Sequence, residues 1–283
     1  MTILHSIILG IIEGITEFLP ISSTGHLILT SNLLGIDQTN FQKSFEIIIQ
    51  LGAIGSVIFL YWKTLWNVAT IKKLIVAFIP TGIIGLLLYK IIKTYLMESP
   101  TVILWSLLLG GIALIVFELW NKRMTNLPVD QKSANLEMTS SSAKVASSDS
   151  TASNSGTAIA NITYRQSFII GLCQSIAIIP GISRSASTIV GGLLLGLDRK
   201  TIVEFSFLLA VPTMLVASGF DIMKNASSFS GDQLGILAIG FVTAFVVALL
   251  AIKFFLKFIQ NHTFIPFGIY RVAVAIIFLL IAI

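Results

Sequence analysis

Apolar residues in this chain do not alternate with polar ones. They gather into long runs: Phe45–Trp62, Leu74–Tyr89, Val102–Trp120, Ile202–Phe220, Leu234–Phe255 and Phe267–Ile283. A helix needs about 17–25 apolar residues to cross the hydrocarbon of a bilayer, and each run approaches or exceeds that length. Strands of a membrane barrel would show a two-residue period over about ten residues, and these runs do not. The pattern predicts an all-α polytopic membrane protein.

Two further apolar stretches, 3–34 and 168–197, are broken in the middle. The first break is Leu19-Pro20-Ile21-Ser22-Ser23-Thr24-Gly25 and the second is Pro180-Gly181-Ile182-Ser183-Arg184-Ser185. Irregular backbone at membrane depth is tolerated only where it is buried in protein or lines a watery cavity. Each stretch is therefore expected to be a re-entrant helix–loop–helix hairpin that returns to its own side, the plainer alternative being an interrupted spanning helix. Between the halves, the segment 122–163 is rich in Ser, Thr, Ala and Asn and reads as a disordered linker. It separates a first unit, 1–121, from a second, 164–283.

The units resemble each other. A shift of 161 residues lays Gly10 on Gly171, Glu13 on Gln174, Ser22 on Ser183, Thr24 on Ser185 and Ile28 on Ile189. Each then continues with three apolar runs. Three spans is an odd number, so a duplicated unit of this kind is expected to be inverted relative to its copy, with the hairpins entering from opposite faces and meeting near the midplane.

Composition agrees with the membrane class. Of 283 residues 55% are hydrophobic and 11% charged, against about 25% charged in a soluble domain; the mean hydropathy is +0.93. The net charge of +5 does not point to nucleic acid, because the basic residues are scattered over short loops. They record orientation instead. The linker face would carry Lys63, Lys72, Lys73, Lys122, Arg123, Lys132, Lys144, Arg165, Arg199, Lys200 and Lys257; the other face holds Lys43, Lys90, Lys93 and Lys224. The linker is thus expected in the cytoplasm, with the first hairpin outside. Met1–Gly10 lacks a basic n-region and a small-residue cleavage site, so no cleavable signal peptide is expected. One cysteine, Cys173, excludes an internal disulfide framework and reads as a small packing residue.

Ionisable residues within membrane helices are costly and are functional candidates by default. Glu13 and Glu17 lie four apart on one helical face, where they could bind a divalent cation or act as base and supporting acid. Ser22, Ser23 and Thr24 open the second half-helix, where hydroxyls and free backbone N–H groups make an anion site. His26 adds a proton carrier within the same turn. In the second break, Ser183 sits beside Arg184, whose planar fork suits phosphate oxygens. If the hairpins meet, Arg184 faces Glu13, Glu17, Ser23 and His26, a set suited to phosphoryl transfer to water.

The runs Glu13-Gly14-Ile15-Thr16-Glu17-Phe18-Leu19-Pro20-Ile21-Ser22-Ser23-Thr24-Gly25-His26-Leu27 and Pro180-Gly181-Ile182-Ser183-Arg184-Ser185 closely resemble the signatures of the undecaprenyl-diphosphate phosphatase, or bacitracin-resistance, family. Gln50-Leu51-Gly52 resembles a further segment of it. The resemblance covers the chain outside the linker, which is longer than the family pattern. It implies hydrolysis of a polyprenyl diphosphate at the bacterial plasma membrane, recycling of the cell-wall carrier lipid and bacitracin tolerance. It also implies a Mg²⁺ or Ca²⁺ requirement, with Glu13 and Glu17 as metal ligands. By motif match, Glu17, Ser23, His26 and Arg184 become the catalytic set, and Ser22, Thr24, Ser183 and Arg184 the phosphate-binding set. The expected partners are the substrate lipid and the bilayer, with a homodimer as an option and no nucleic acid. Two rivals stand beside this reading. A lipid-phosphate transporter or flippase would share the inverted-repeat architecture. A phosphatase of the phosphatidic-acid type would need a second histidine with an aspartate four residues on, and His262 lacks that aspartate.

Overall fold

The computed structural model describes residues 1–37, 39–91, 99–125, 155–225 and 231–281, and every regular element among them is helical. In chain order these are α1 (Ile3–Thr16), α2 (Ser23–Leu33), α3 (Asn40–Leu60), the single turn α4 (Trp62–Leu65), α5 (Val68–Ile91), α6 (Pro100–Thr125), α7 (Ser155–Ala160), α8 (Tyr164–Ser175), α9 (Arg184–Leu194), α10 (Arg199–Asn225), α11 (Gly231–Phe258) and α12 (Ile265–Ile281). Helices α3, α5, α6, α10 and α11 are long and apolar enough to span a membrane. Helix α12, the sixth expected span, has 17 residues and stands at the short end of that range. Prolines inside α5 (Pro80) and α10 (Pro212) do not end those helices.

Each of the two broken stretches forms two short helices on either side of an irregular segment. Arms α1 and α2 have 14 and 11 residues, and α8 and α9 have 12 and 11. At 1.5 Å per residue even the longest arm reaches only about 21 Å, short of a hydrocarbon core of about 30 Å. The arms of each hairpin pack together, and each first arm also lies on a long helix of the other half: α1 on α11 and α8 on α5. Glycines permit both approaches. A Cβ at Gly10 would stand 2.8 Å from the Gly240 carbonyl oxygen, and one at Gly171 would run into the Ala77 backbone. At the centre of the main core, Phe18 from the first break meets Phe207 of α10 edge-on at 5.2 Å, and Phe255 of α11 joins them.

The ends of the expected linker are ordered helix. Helix α6 continues to Thr125, and α7 sits just before α8 with Ile159 and Ile162 buried in the main core. Those two isoleucines are apolar anchors in a segment otherwise too polar to pack. Residues 126–154 lie outside the described residues. At this end of the bundle Glu118 of α6, 1% exposed, receives Arg199 of α10 through two bonds of 2.5 and 2.8 Å and the Phe264 backbone N–H at 3.2 Å. The Arg199 guanidinium also lies 5.1 Å above the Phe264 ring.

The helix contacts generate a prediction. Gly171→Ala forces its methyl into the α5 backbone and should destabilise the protein by about 1–3 kcal/mol, the usual cost of overpacking. Gly235→Ala, at an exposed helical position with nothing within 4 Å, should be neutral or slightly stabilising. Thermal melting of the two variants in detergent, compared with the parent, checks both.

Candidate active site

Each break ends on a serine in the left-handed region of backbone space, Ser22 at φ 73° and Ser183 at φ 79°. A non-glycine residue held there costs about 1–3 kcal/mol and persists only where its surroundings impose it. Here the turn lets each serine cap the helix that follows. Ser183 Oγ accepts from the Ala186 N–H at 3.2 Å, and Ser22 Oγ lies 3.5 Å from the Gly25 nitrogen. The turn also points the first residue of each helix, Ser23 or Arg184, at the same carboxylate, Glu17 of the first hairpin.

The two hairpins meet at Glu17. Ser23 Oγ donates to Glu17 Oε2 at 2.5 Å, and Arg184 Nη2 donates to Glu17 Oε1 at 3.2 Å. All three side chains are buried or nearly so. Arg184 Nη1 donates to the Ser206 carbonyl at 2.8 Å, while its buried Nε has no partner among the described residues. Ser185 Oγ adds a second link between hairpins by donating to the Leu19 carbonyl at 2.8 Å, and it is bonded to Ser183 Oγ at 3.1 Å. Thr24, half-buried, opens the same turn without joining this network among the described residues.

Glu13 lies one turn below Glu17, fully buried, and neither carboxyl oxygen has a well-formed hydrogen bond among the described residues. The charged groups that act on it are Glu17, Glu46 and Arg184. A buried carboxylate with free oxygens beside a second carboxylate is a donor set for a hard cation.

His26 turns elsewhere. Its Nδ1 donates to the Ser22 carbonyl at 2.7 Å, and its Nε2 lies 2.9 Å from the Tyr270 hydroxyl, the two rings nearly parallel at 7° with centroids 5.4 Å apart. Ser23 thus takes Glu17 as its partner, and the Ser23–His26 pair considered from sequence is not formed in this geometry. The helix spacing puts both residues within one turn, but Ser23 is directed back toward α1.

Two residues of this site were missed in the sequence, Tyr270 and Arg271, both within a run read only as a span. Arg271 is fully buried and donates to four carbonyls: Pro20 at 3.4 Å, Gly181 at 2.9 Å, Ile182 at 2.9 Å and Ser106 at 3.1 Å. It holds both breaks and α6 at once. The signal was available, because an arginine inside an apolar run is a functional candidate by the same rule that singled out Glu13 and Glu17.

Fold and site together define a multi-pass α-helical membrane protein whose paired broken helices assemble a carboxylate, a hydroxyl and a guanidinium in the protein interior. Residues 6–277 match the family described as bacitracin resistance protein BacA, and the chain belongs to that family. It is 50% identical over 280 residues to an undecaprenyl-diphosphatase of Sulfurihydrogenibium sp., covering 99% of each chain. It is 46% identical over 279 residues to one of Aquifex aeolicus, covering 98% of each. A third, from Campylobacter fetus, is 44% identical over 283 residues and covered to 99%.

The four-carbonyl contact predicts the behaviour of a conservative substitution. Arg271→Lys keeps the charge but loses the fork that spans both breaks, so at least two charged hydrogen bonds go. The expected cost is about 3 kcal/mol, read as a lower melting temperature in detergent.

Proposed function

We propose that this protein hydrolyses undecaprenyl diphosphate to undecaprenyl phosphate and inorganic phosphate, and so recycles the lipid carrier of cell-wall synthesis in the bacterial plasma membrane and confers bacitracin tolerance. The observation that carries the reading is Glu17 held between Ser23 of its own hairpin and Arg184 of the other, in a chain about half identical to undecaprenyl-diphosphatases along its length.

In this reading Glu17 is the base and Ser23 the nucleophile. As Ser23 Oγ attacks the terminal phosphorus, its proton passes to Glu17 Oε2 along the 2.5 Å bond. The bond from that phosphorus to the bridging oxygen breaks, and undecaprenyl phosphate departs. Water then cleaves the phosphoserine, releasing inorganic phosphate and restoring the serine. Arg184 neutralises charge on the transferring phosphoryl group, with its unpartnered Nε available to a phosphate oxygen. The backbone N–H groups that open α2 and α9, with Ser22, Thr24 and Ser183, line the same anion site. His26 carries protons between the site and water.

Glu13 and Glu17 supply the hard oxygen donors that Mg²⁺ or Ca²⁺ takes, and free buried oxygens on Glu13 fit that role. No cluster of three or more His, Cys, Asp or Glu occurs among the described residues, so phosphate and water would complete the coordination. Such an ion, when bound, offsets the charge of the diphosphate.

The halves are arranged as an inverted pair, with the linker cytoplasmic and the site open to the outer face. Support comes from the exchanged packing of α1 on α11 and α8 on α5, from the matched left-handed serines, and from the excess of basic residues on the linker face.

Purified protein in detergent should release phosphate from a long-chain polyprenyl diphosphate, and a chelator should stop it. Binding or movement of the lipid with no phosphate release would leave a transporter as the better reading. Arg184→Lys should lower turnover about 10²-fold or more, and Ser23→Ala and Glu17→Gln should each fall at least as far. Ser23→Ala combined with Glu17→Gln should cost no more than either alone, as expected for residues that act as a unit. Glu13→Gln should mainly raise the cation concentration required. For orientation, single cysteines at Thr39 and Asn161, both exposed, in a Cys173→Ala background should label from opposite sides of the cell membrane. Labelling from one side would overturn the inverted arrangement.

A further inference from the structure

We propose that Tyr270 is a positioning residue for this reaction, its hydroxyl holding the Nε2 of His26, the nitrogen that handles the proton, in both protonation states of the ring. The inference rests on the phosphatase reading above and adds to it a residue from the last helix.

The argument starts from the bond on the far side of the ring. A carbonyl oxygen only accepts, so the 2.7 Å contact from His26 Nδ1 to the Ser22 carbonyl requires a hydrogen on Nδ1. In the neutral imidazole Nε2 is then the bare nitrogen, and the Tyr270 hydroxyl at 2.9 Å donates to it. When the ring carries a second proton, Nε2 becomes a donor and the tyrosine oxygen its acceptor. The phenol hydrogen is then released toward the surroundings, which it can reach because Tyr270 is 44% exposed. One hydroxyl therefore satisfies both states of a buried ring, by rotating its hydrogen and without moving a heavy atom.

The rest of the site holds that hydroxyl in place. The nearly parallel rings limit sideways movement of the imidazole. The next residue along α12 is Arg271, bonded to the carbonyls of both breaks, so the helix segment that presents Tyr270 is tied to the break that leads into α2, the helix of His26. Ser22, whose carbonyl sets the tautomer, is itself the left-handed cap. Removing the hydroxyl leaves Nε2 without its partner in either state, while the stacked ring remains.

Tyr270→Phe tests this. With wild type as the reference for phosphate release from a polyprenyl diphosphate, kcat should fall about tenfold to a hundredfold with KM within about twofold. Nitrogen-15 NMR of imidazole-labelled protein, assigned with His26→Gln, should show His26 protonated on Nδ1 and bare on Nε2 in wild type, and a shifted Nε2 resonance in the variant. Unchanged kcat in Tyr270→Phe beside an active wild type overturns the proposal, and so does an Nε2-protonated neutral ring in wild type, a result that depends on no variant's folding. A wild type that releases no phosphate would instead sink the phosphatase reading, leaving the tautomer measurement to decide the role of Tyr270 by itself.

Discussion

A helix broken inside a membrane protein exposes carbonyl oxygens that lipid cannot satisfy. In this molecule the carbonyls of both breaks converge on one guanidinium, that of Arg271, which is fully buried and also reaches back to the Ser106 carbonyl of α6. The arrangement is mutual. A buried cation with no partner would be untenable, and so would the loop carbonyls with no donor. Space for it comes from Gly110, where any side chain would run into the guanidinium, and Gly111, where a Cβ would stand 2.8 Å from the Gly268 carbonyl oxygen and 3.0 Å from Arg271 Cβ. Every distance in the site, including the one between Glu17 and Arg184, depends on these two loops being held at a common point.

The hairpins are alike in backbone and different in chemistry. Both turn through a left-handed serine, yet the position held by Glu13 in the first is Gln174 in the second. Gln174 donates its amide N–H groups to the hydroxyls of Thr81 and Thr213, although its Oε1 has no partner among the described residues. Neither carboxyl oxygen of Glu13 has a well-formed hydrogen bond among them. In the other direction, Arg184 of the second hairpin corresponds by the same shift to Ser23 of the first. One hairpin thus holds carboxylates and hydroxyl, the other the positive fork, and the site exists only where they face each other. The strained serines fit this reading, since they aim Ser23 from within the first hairpin and Arg184 from the second at the same carboxylate, Glu17.

Much of this was legible in the linear chain. Long apolar runs marked the spanning helices, and Pro, Gly and Ser inside two shorter ones marked the breaks, because hydrophobic length and backbone punctuation are local properties. The duplicated order of features raised the condition that, if the hairpins met, Arg184 would face Glu17. Direction was not legible: spacing placed Ser23 beside His26, but the orientation of the first residue of α2 sends its hydroxyl to Glu17. Nor were Tyr270 and Arg271 found, because a run long enough to span was read as a span and its polar members were not weighed separately. Glu118 and Arg199 were likewise read as parts of separate elements, though their pairing joins α6 to α10. Ile159 and Ile162 were overlooked because the composition around them is that of a linker.

Those two isoleucines and the Glu118–Arg199 pair have a consequence for how the gene can change. Both ends of the intervening segment are fastened to the bundle, one by α6 and one by α7, so its closure is enforced by the fold and not by its own length. The entropy of closing such a loop rises by only about 0.6 kcal/mol for each doubling of length. Selection on stability therefore barely registers insertions between residues 125 and 155, and the same latitude makes that interval the natural port for grafting a reporter domain onto this membrane protein.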